Sequence, residues 1–195
     1  MPKLEGTETL ENLMKAFAGE SQARMRYTYY ASVARQEGYR QIEAIFTETA
    51  DNEREHAKRF WKKILENADT PTMVNVNADY PVGFAKTIDN LKLSAEGEHE
   101  EWEILYPNFA KVAEEEGFPH IAKQFRYIAD VEVEHEKRFL KLADNIENGL
   151  VFKKDVSVRW KCRNCGFVHE GLEAPDICPA CAHKLEHFEV KESNY

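Results

Sequence analysis

Two matching ten-residue segments, one in each half of the chain, restrict the fold more than any other feature of the sequence. Residues 51–60 read DNEREHAKRF and residues 130–139 read DVEVEHEKRF. Both contain the pattern Glu-x-x-His, as Glu53 with His56 and as Glu132 with His135. Residues three apart lie on one face of a helix, so each pair presents a carboxylate and an imidazole in the same direction. One pair alone is typical of a solvated helix face, whereas two matched pairs indicate two halves of a metal site.

Apolar residues recur at alternating steps of three and four along most of the chain, which predicts amphipathic helices. Four long helices are expected: Thr7 or Thr9 to about Gln36, Gly38 to about Asn67, about Phe84 to Glu116, and Pro119 to about Gly149. The segment between the second and third helices, residues 68–83, contains Pro71 and Pro81 and suits a long crossover. The pattern therefore predicts a four-helix bundle made of two hairpins.

The two halves of the bundle are related by an internal repeat that breaks at one point. Over most of its length the repeat has a shift of 79 residues, which matches Tyr27 with Tyr106, but Glu20 matches Glu98 at a shift of 78. One residue has therefore been gained between Glu98 and Tyr106. A helix absorbs such an insertion most simply as a π-bulge, a feature that often marks functional sites. We predict a π-bulge near residues 101–107.

Glutamates at inward positions of the helices extend the candidate site. Glu20 lies on the same helical face as Phe17 and Tyr27, where a carboxylate is costly unless it is paired or bound to metal. An ion pair with Arg24, one turn away, is the structural alternative. Glu101 follows Glu98 by one turn and is either a further ligand or an exposed carboxylate of an acidic run.

Together these residues reproduce the ligand pattern of ferritin-like di-iron or di-manganese carboxylate proteins. One imidazole for each metal ion favours iron over magnesium or calcium. Glu53 and Glu132 are expected to bridge two ions, and the expected terminal ligands are Glu20, Glu98, His56 and His135. The expected fold class is mainly α, a ferritin-like bundle with one long crossover.

The four cysteines of the chain lie close together near its end. Cys162, Cys165, Cys178 and Cys181 form C-x2-C, twelve residues, and C-x2-C, a spacing that indicates a tetrahedral metal site but leaves zinc and iron open. Trp160, Phe167 and Phe188 can form its small core. We therefore divide the chain into a bundle, residues 1–150, and a four-cysteine domain, residues 151–195.

Charge and hydropathy exclude several classes of partner. The net charge of −9 argues against nucleic acids and anionic membranes, which favour basic surfaces. The sequence contains no apolar run of the ~20 residues needed to span a bilayer, and residues 1–6 contain no apolar signal region. A cytoplasmic location is expected, where thiols stay reduced and bind metals rather than form disulfides.

At this point the whole chain resembles the rubrerythrin family, in which a di-iron four-helix domain precedes a rubredoxin-like iron domain. The motifs that carry the resemblance are AGESQAR at 18–24, EREHAKR at 53–59, GEHEE at 97–101, EVEHEKRF at 132–139, CRNCG at 162–166 and CPAC at 178–181. The resemblance implies that the four-cysteine site holds an iron that passes single electrons, with zinc as a substitute. It also implies that Glu101 is a ligand, which replaces His56 on one iron when the pair is oxidised.

The activity implied by the resemblance is reduction of hydrogen peroxide to water as a defence against oxidative stress. Electrons would come from a donor protein such as rubredoxin or an NAD(P)H-dependent rubredoxin reductase. Tyr27 and Tyr106 are candidate catalytic residues beside Glu101 and His56, because their hydroxyls could steady bound peroxide; the alternative is that both are ordinary core tyrosines. Three rival functions are an iron-storing ferroxidase, a di-iron oxygenase acting on an organic substrate, and a bundle with a purely structural zinc ribbon.

Helix length adds an expectation about assembly. About a dozen residues separate His135 from the end of the fourth helix, or roughly 18 Å at ~1.5 Å per residue. The iron of the four-cysteine domain should therefore lie far from the di-iron pair of its own chain. A head-to-tail homodimer, in which the domain of one chain covers the bundle of the other, would shorten the path of the electrons.

Overall fold

The computed structural model describes residues 3–193, and its helical part has the expected order of elements. The helices are α1 Glu8–Gln36, α2 Arg40–Asn67, α3 Thr87–Glu100, α4 Tyr106–Glu115 and α5 Pro119–Glu147. A π-helical turn, Glu101–Leu105, joins α3 to α4, so that the two run as one long helix. The predicted bundle and the predicted π-bulge are both confirmed.

Two tight turns close the helix hairpins in the same way. Gly38 and Gly117 have backbone φ angles of +81° and +87°, values that residues with a Cβ rarely adopt. After each glycine, the next N–H donates back to the end of the preceding helix, from Tyr39 to Ala34 (2.8 Å) and from Phe118 to Ala113 (2.7 Å). The repeat in the sequence is thus a repeat of two helix hairpins.

The core of the bundle consists of two apolar clusters. One contains Phe60, Tyr106 and Phe125, and the other contains Tyr27 and Phe139. The inward glutamates come from helical turns between these clusters and are themselves buried. Each cluster thus brings one of the two repeat-related tyrosines to the polar centre of the bundle.

The crossover between α2 and α3 is not helical and is tied to α1. The Tyr80 hydroxyl donates to the carbonyl of Lys15 (3.1 Å), and the Tyr30 hydroxyl donates to the carbonyl of Gly83 (2.7 Å). Arg26 donates to the Pro81 carbonyl at 3.2 Å. These bonds hold residues 80–83 along the side of α1.

The chain after α5 forms a three-stranded antiparallel sheet with strand order β2-β1-β3. The strands are β1 Lys153–Cys162, β2 Val168–Glu173 and β3 Phe188–Val190. Trp160 and Phe188 are buried in its small core, as expected, and Phe167 packs against them. The last helix ends at Glu147 and the first strand begins at Lys153, while the division into domains at residue 150 stays a prediction.

The sheet domain rests on the end of the bundle where α2 begins. The ring of Tyr39 stacks on Phe152 with centroids 6.3 Å apart, and Arg40 binds Glu186 at 3.3 Å. Among the described residues, no helix combines the length and the apolar character needed to cross a membrane.

Candidate metal centre

Six of the seven residues predicted for the di-iron site converge in the middle of the bundle. Their ligand atoms form two groups, each within 4.8 Å: Glu20, Glu53, His56 and Glu132; Glu53, Glu98, Glu132 and His135. The four glutamates are at most 1% exposed. The two groups share Glu53 and Glu132, as the repeat in the sequence predicts.

The shared glutamates divide their oxygens between the two histidines. Nδ1 of His56 lies 2.9 Å from Oε2 of Glu53 and 2.9 Å from Oε1 of Glu132. Nδ1 of His135 lies 3.2 Å from the other oxygen of Glu53 and 2.7 Å from the other oxygen of Glu132. Each carboxylate therefore faces both halves of the site, which is the placement that a bridge between two metal ions requires.

The remaining two glutamates each serve one half. Oε2 of Glu20 lies 3.6 Å from Nδ1 of His56, and Oε1 of Glu98 lies 3.8 Å from Nδ1 of His135. The alternative for Glu20, an ion pair with Arg24, does not describe this arrangement, because Glu20 is directed at His56 and Tyr106.

Many of these atoms are buried without a hydrogen-bond partner among the described residues. They are Oε2 of Glu20, both carboxylate oxygens of Glu53 and of Glu132, and Nδ1 of His56 and of His135. The atoms are close together but do not meet hydrogen-bond geometry, since all of them point at common centres. Buried polar atoms are normally satisfied, so this set fits two metal ions.

The buried carboxylates of the centre also favour the binding of cations. Burial raises the pKa of Glu20 well above its ordinary value, and burial raises that of Glu98 to about 8. Burial acts against ionisation of Glu53 as well, but His135 and His56 outweigh it and hold the pKa at about 2. Burial opposes the charge on His135, yet Glu132 and Glu53 raise its pKa to about 12. Two divalent ions would offset this excess of negative charge.

Glu101 lies outside both groups. Its Oε1 would be 3.8 Å from a Cβ on Gly19, and its side chain lines a cavity between α1, the crossover and the π-helical turn. Burial raises its pKa well above the ordinary value, followed by repulsion from Glu20. The structure thus brings a fifth carboxylate beside the site but not into either ligand group.

Both predicted tyrosines contact the predicted terminal glutamates. The Tyr27 hydroxyl donates to Glu98 at 2.6 Å, and the Tyr106 hydroxyl donates to Glu20 at 2.5 Å. Burial raises the pKa of each phenol well above its ordinary value, so both remain donors. Each half of the centre therefore has one tyrosine bonded to its own glutamate.

A contact that the sequence did not reveal holds the π-helical turn against α5. The indole N–H of Trp102 donates to Glu136 at 2.6 Å, and Nδ1 of His99 lies 3.1 Å from the same carboxylate. Glu136 directly follows His135, whereas Ala57 takes the matching place in the first half. That difference between the repeats was the signal available in the sequence.

The four cysteines form a separate cluster in the sheet domain. Their sulfur atoms lie within 4.8 Å of one another, with Cys162 and Cys181 at 3.8 Å and Cys165 and Cys178 at 3.7 Å. All four are free thiols, and these separations are far longer than the ~2.05 Å of a disulfide. The cluster fits one tetrahedral metal ion.

Backbone N–H groups point at these sulfurs and stabilise the thiolate form. The N–H of His183 bonds Cys181 and lowers its pKa to about 6, outweighing burial. For Cys165, the bond from the Phe167 N–H lowers the pKa of the thiol, whereas the bond with the Cys181 side chain raises it. The net effect is a pKa of about 12. Gly166, at φ +82°, makes the turn beside Cys165. A metal ion bound to all four sulfurs would displace the protons that the thiols otherwise share.

Comparisons with protein families match both parts of the chain. The model of the family described as "Rubrerythrin" matches residues 11–143, and the one described as "Rubrerythrin, rubredoxin-like domain" matches residues 160–189. The carboxylate–histidine groups and the four-cysteine cluster match the di-iron and rubredoxin-like iron sites of that arrangement.

Individual proteins agree with the family models. The chain is 58% identical to a rubrerythrin of Clostridium perfringens and 54% identical to rubrerythrin-1 of Clostridium acetobutylicum, over the full length of each. A solved structure of partially reduced nigerythrin superimposes with a TM-score of 0.64 and 29% identity, covering 97% of this chain and 92% of the other.

Proposed function

The chain belongs to the rubrerythrin family, and from that premise we propose that it reduces hydrogen peroxide to water at a di-iron centre, as a defence against oxidative stress. One observation carries the proposal. Two equivalent half-sites share Glu53 and Glu132, and a fifth carboxylate, Glu101, lies beside them and lines a cavity. The centre is thus symmetric in its bridges and asymmetric on the side that a small molecule can reach.

We assign the residues roles that follow from their positions. Glu53 and Glu132, which both half-sites share, would hold both irons, and Glu20, Glu98, His56 and His135 would each hold one. When reduced, the iron pair supplies the two electrons that cleavage of an O–O bond requires. Glu101 would be a reserve ligand, a carboxylate beside the centre that could offset added positive charge on oxidised irons.

Tyr27 and Tyr106 act on the two terminal glutamates. Each hydroxyl donates to a terminal glutamate at 2.5–2.6 Å, and neither phenol ionises near neutral pH because burial raises its pKa. In this role each tyrosine fixes the orientation of its glutamate. It would also hold an O–H donor beside the site where the peroxide is reduced.

Electrons are proposed to arrive through the four-cysteine iron from a rubredoxin or an NAD(P)H-dependent rubredoxin reductase. The family contains a rubredoxin-like domain and is an oxidoreductase family, which supports a redox partner. We place the reaction in the cytoplasm, where reduced thiols can hold iron.

A head-to-tail homodimer is part of the proposal. The sheet domain contacts Tyr39 and Arg40, whereas the centre begins at Glu53, about 13 residues further along α2. At ~1.5 Å per residue this corresponds to roughly 20 Å. The domain of a second chain, placed over the middle of the bundle, would bring the two sites closer.

Stopped-flow oxidation of the fully reduced protein tests the function. We expect hydrogen peroxide to oxidise the reduced centre at least tenfold faster than dioxygen at equal concentration. The colour of the four-cysteine iron, bleached on reduction, should return with electron transfer to the centre. An equal or faster reaction with dioxygen would contradict the proposal and favour a ferroxidase or an oxygenase.

A further inference from the structure

The cavity beside Glu101 is larger than hydrogen peroxide needs. Its volume is about 320 Å³, roughly ten times the ~30 Å³ that one water molecule takes up in the liquid. Sites for small organic molecules begin at about this size. A site meant for hydrogen peroxide alone would need room for only a few water-sized molecules.

The walls of the cavity combine apolar side chains with polar and charged ones, which include Lys15, Gln22, Arg26, Asp79 and Glu100, and its floor is polar. Ala16, Leu105 and Phe109 line it from the bundle, and the ring of Tyr80 with Pro81 lines it from the crossover. Glu101 and Tyr106 form the side nearest the metal centre. A molecule with an alkyl group and a polar end would bury the alkyl group among the apolar walls and direct its polar end toward the centre.

We propose that the protein also reduces small uncharged alkyl hydroperoxides, which bind in this cavity with the alkyl group between Phe109 and Tyr80 and the hydroperoxide group toward Glu101. This inference rests on the proposed peroxide reduction and extends it to a second class of substrate. With two electrons that a bound, reduced iron pair would supply and two protons from water, the O–O bond of the alkyl hydroperoxide breaks. One oxygen leaves as the alcohol and the other as water.

Gly19 determines how wide the cavity can be. A Cβ on this residue would lie 3.7 Å from Cε1 of Tyr80 and 3.8 Å from Oε1 of Glu101, so the glycine sits between the outer wall and the floor. These separations are ordinary contact distances, and alanine would fit without displacing a neighbour. The branched side chain of valine would extend between Tyr80 and Glu101 and divide the space. Neither residue is worse than glycine in a helix interior.

The kinetic test compares two oxidants across three variants. We expect Gly19→Val to lower the ratio of kcat/KM for tert-butyl hydroperoxide to that for hydrogen peroxide at least tenfold, and Gly19→Ala to lower it less. Ser32→Val, an exposed change on the same helix, should leave both values within twofold of the unsubstituted chain. An unchanged ratio in Gly19→Val would overturn the inference.

A binding test does not depend on turnover. In zinc-loaded protein, tert-butanol, the product of the proposed reaction, should receive saturation from the protein in difference NMR. The signal should weaken severalfold in Gly19→Val and persist in Ser32→Val. Equal signals from these two proteins would place the alcohol elsewhere and overturn the inference.

The two proposals fail in different ways. If the protein reduces hydrogen peroxide but not tert-butyl hydroperoxide, the inference fails and the proposed function stands. If neither oxidant reacts with the reduced protein faster than dioxygen does, the proposed function itself fails, and the alkyl hydroperoxide activity fails with it.

Discussion

At the scale of single residues, the centre depends on carboxylates placed where carboxylates are costly. Glu20, Glu53, Glu98 and Glu132 are buried with only two histidines to balance them. Removing one member of such a set leaves the others with unpaired charge. Glu101 differs, because it belongs to neither ligand group and borders the cavity. Its replacement therefore tests a role in the reaction rather than assembly of the site.

Replacing Glu101 by glutamine should separate metal binding from turnover. The six convergent residues remain, so we expect Glu101→Gln to bind two irons per chain, as measured by metal analysis. The reserve carboxylate is lost, so oxidation of the reduced centre by peroxide should slow at least tenfold. Glu103→Gln changes an exposed residue of the same π-helical turn and should have no effect. Loss of iron from Glu101→Gln would instead make Glu101 a ligand needed for assembly.

The two tyrosines allow a test with a matched control. Tyr106→Phe removes the hydroxyl that donates to Glu20, a bond worth about 1.5–3 kcal/mol when the acceptor is charged. If the bond strengthens during the reaction, the peroxide rate should fall about tenfold or more. Tyr30→Phe removes a hydroxyl that bonds the Gly83 carbonyl away from the centre and should leave the rate unchanged. Equal effects of the two changes would make Tyr106 an ordinary core residue.

At the scale of elements, the long helix α3–α4 is where the two hairpins differ. The π-helical turn Glu101–Leu105 has no fully buried residue, so its packing against the core is weaker than that of the flanking turns. The bond from Trp102 to Glu136 ties this turn to α5, one residue after His135. The tie connects the segment that carries Glu101 to the helix that carries one half of the centre.

Loss of that tie should loosen the turn without unfolding the bundle. In Trp102→Phe we expect the amides of residues 102–106 to exchange with solvent about tenfold faster or more, because a bond to a charged carboxylate is lost. Mass spectrometry of peptides from the exchanged protein measures this directly. Trp61→Phe changes a partly exposed ring that packs on Phe17 and provides the control. Unchanged exchange in residues 102–106 would show that the bond from Trp102 to Glu136 does not stabilise the turn.

The start of α1 depends on a residue from the second hairpin. The carboxylate of Glu116 accepts hydrogen bonds from the N–H groups of Glu8 (3.0 Å) and Thr9 (2.8 Å). Burial acts to raise the pKa of Glu116, but the bonds from Thr9 and Glu8 outweigh it and lower the pKa below its ordinary 4.5. The stabilisation is therefore present at neutral pH and is lost as the pH falls through the lowered pKa.

Glu116→Ala should reduce the free energy of unfolding by about 1–2 kcal/mol at pH 7, the usual worth of a helix cap. Urea unfolding of the zinc-loaded protein gives this value. Glu115→Ala removes an exposed neighbouring carboxylate and should change stability by less than ~0.5 kcal/mol. Equal losses for the two variants would show that the cap contributes nothing.

At the scale of the whole molecule, the features that could be predicted are those that follow from the periodicity and the internal repeat of the sequence. The repeat predicted two hairpins and two half-sites, and the shift from 79 to 78 predicted the π-helical turn. The crossover has no periodicity, so neither its bonds to α1 nor the cavity that it covers was predictable. Contacts of this kind depend on which surfaces meet in space. The link between Trp102 and Glu136 also depends on such a contact, and the difference between Glu136 and Ala57 in the two repeats is its one trace in the sequence.

The position of the sheet domain makes a prediction about assembly. Within one chain this domain contacts Tyr39 and Arg40 at the start of α2, and from there to Glu53 the helix rises by roughly 20 Å. Electrons that cross between chains of a head-to-tail dimer would avoid this distance. The path can be tested with two inactive variants, one without the four-cysteine iron (Cys165→Ser with Cys181→Ser) and one without the di-iron pair (Glu53→Ala with Glu132→Ala).

Each variant alone should lack donor-dependent peroxide reduction, since its homodimer has only one kind of iron site. When the two are unfolded together and refolded with iron, random pairing makes half of the dimers mixed, and each mixed dimer has one intact crossing path. About a quarter of the unsubstituted activity should then return. The control is the same mixture combined after separate refolding, before chains exchange, which should remain inactive. If electrons instead stay within one chain, no mixed dimer contains a complete path, and co-refolding restores nothing.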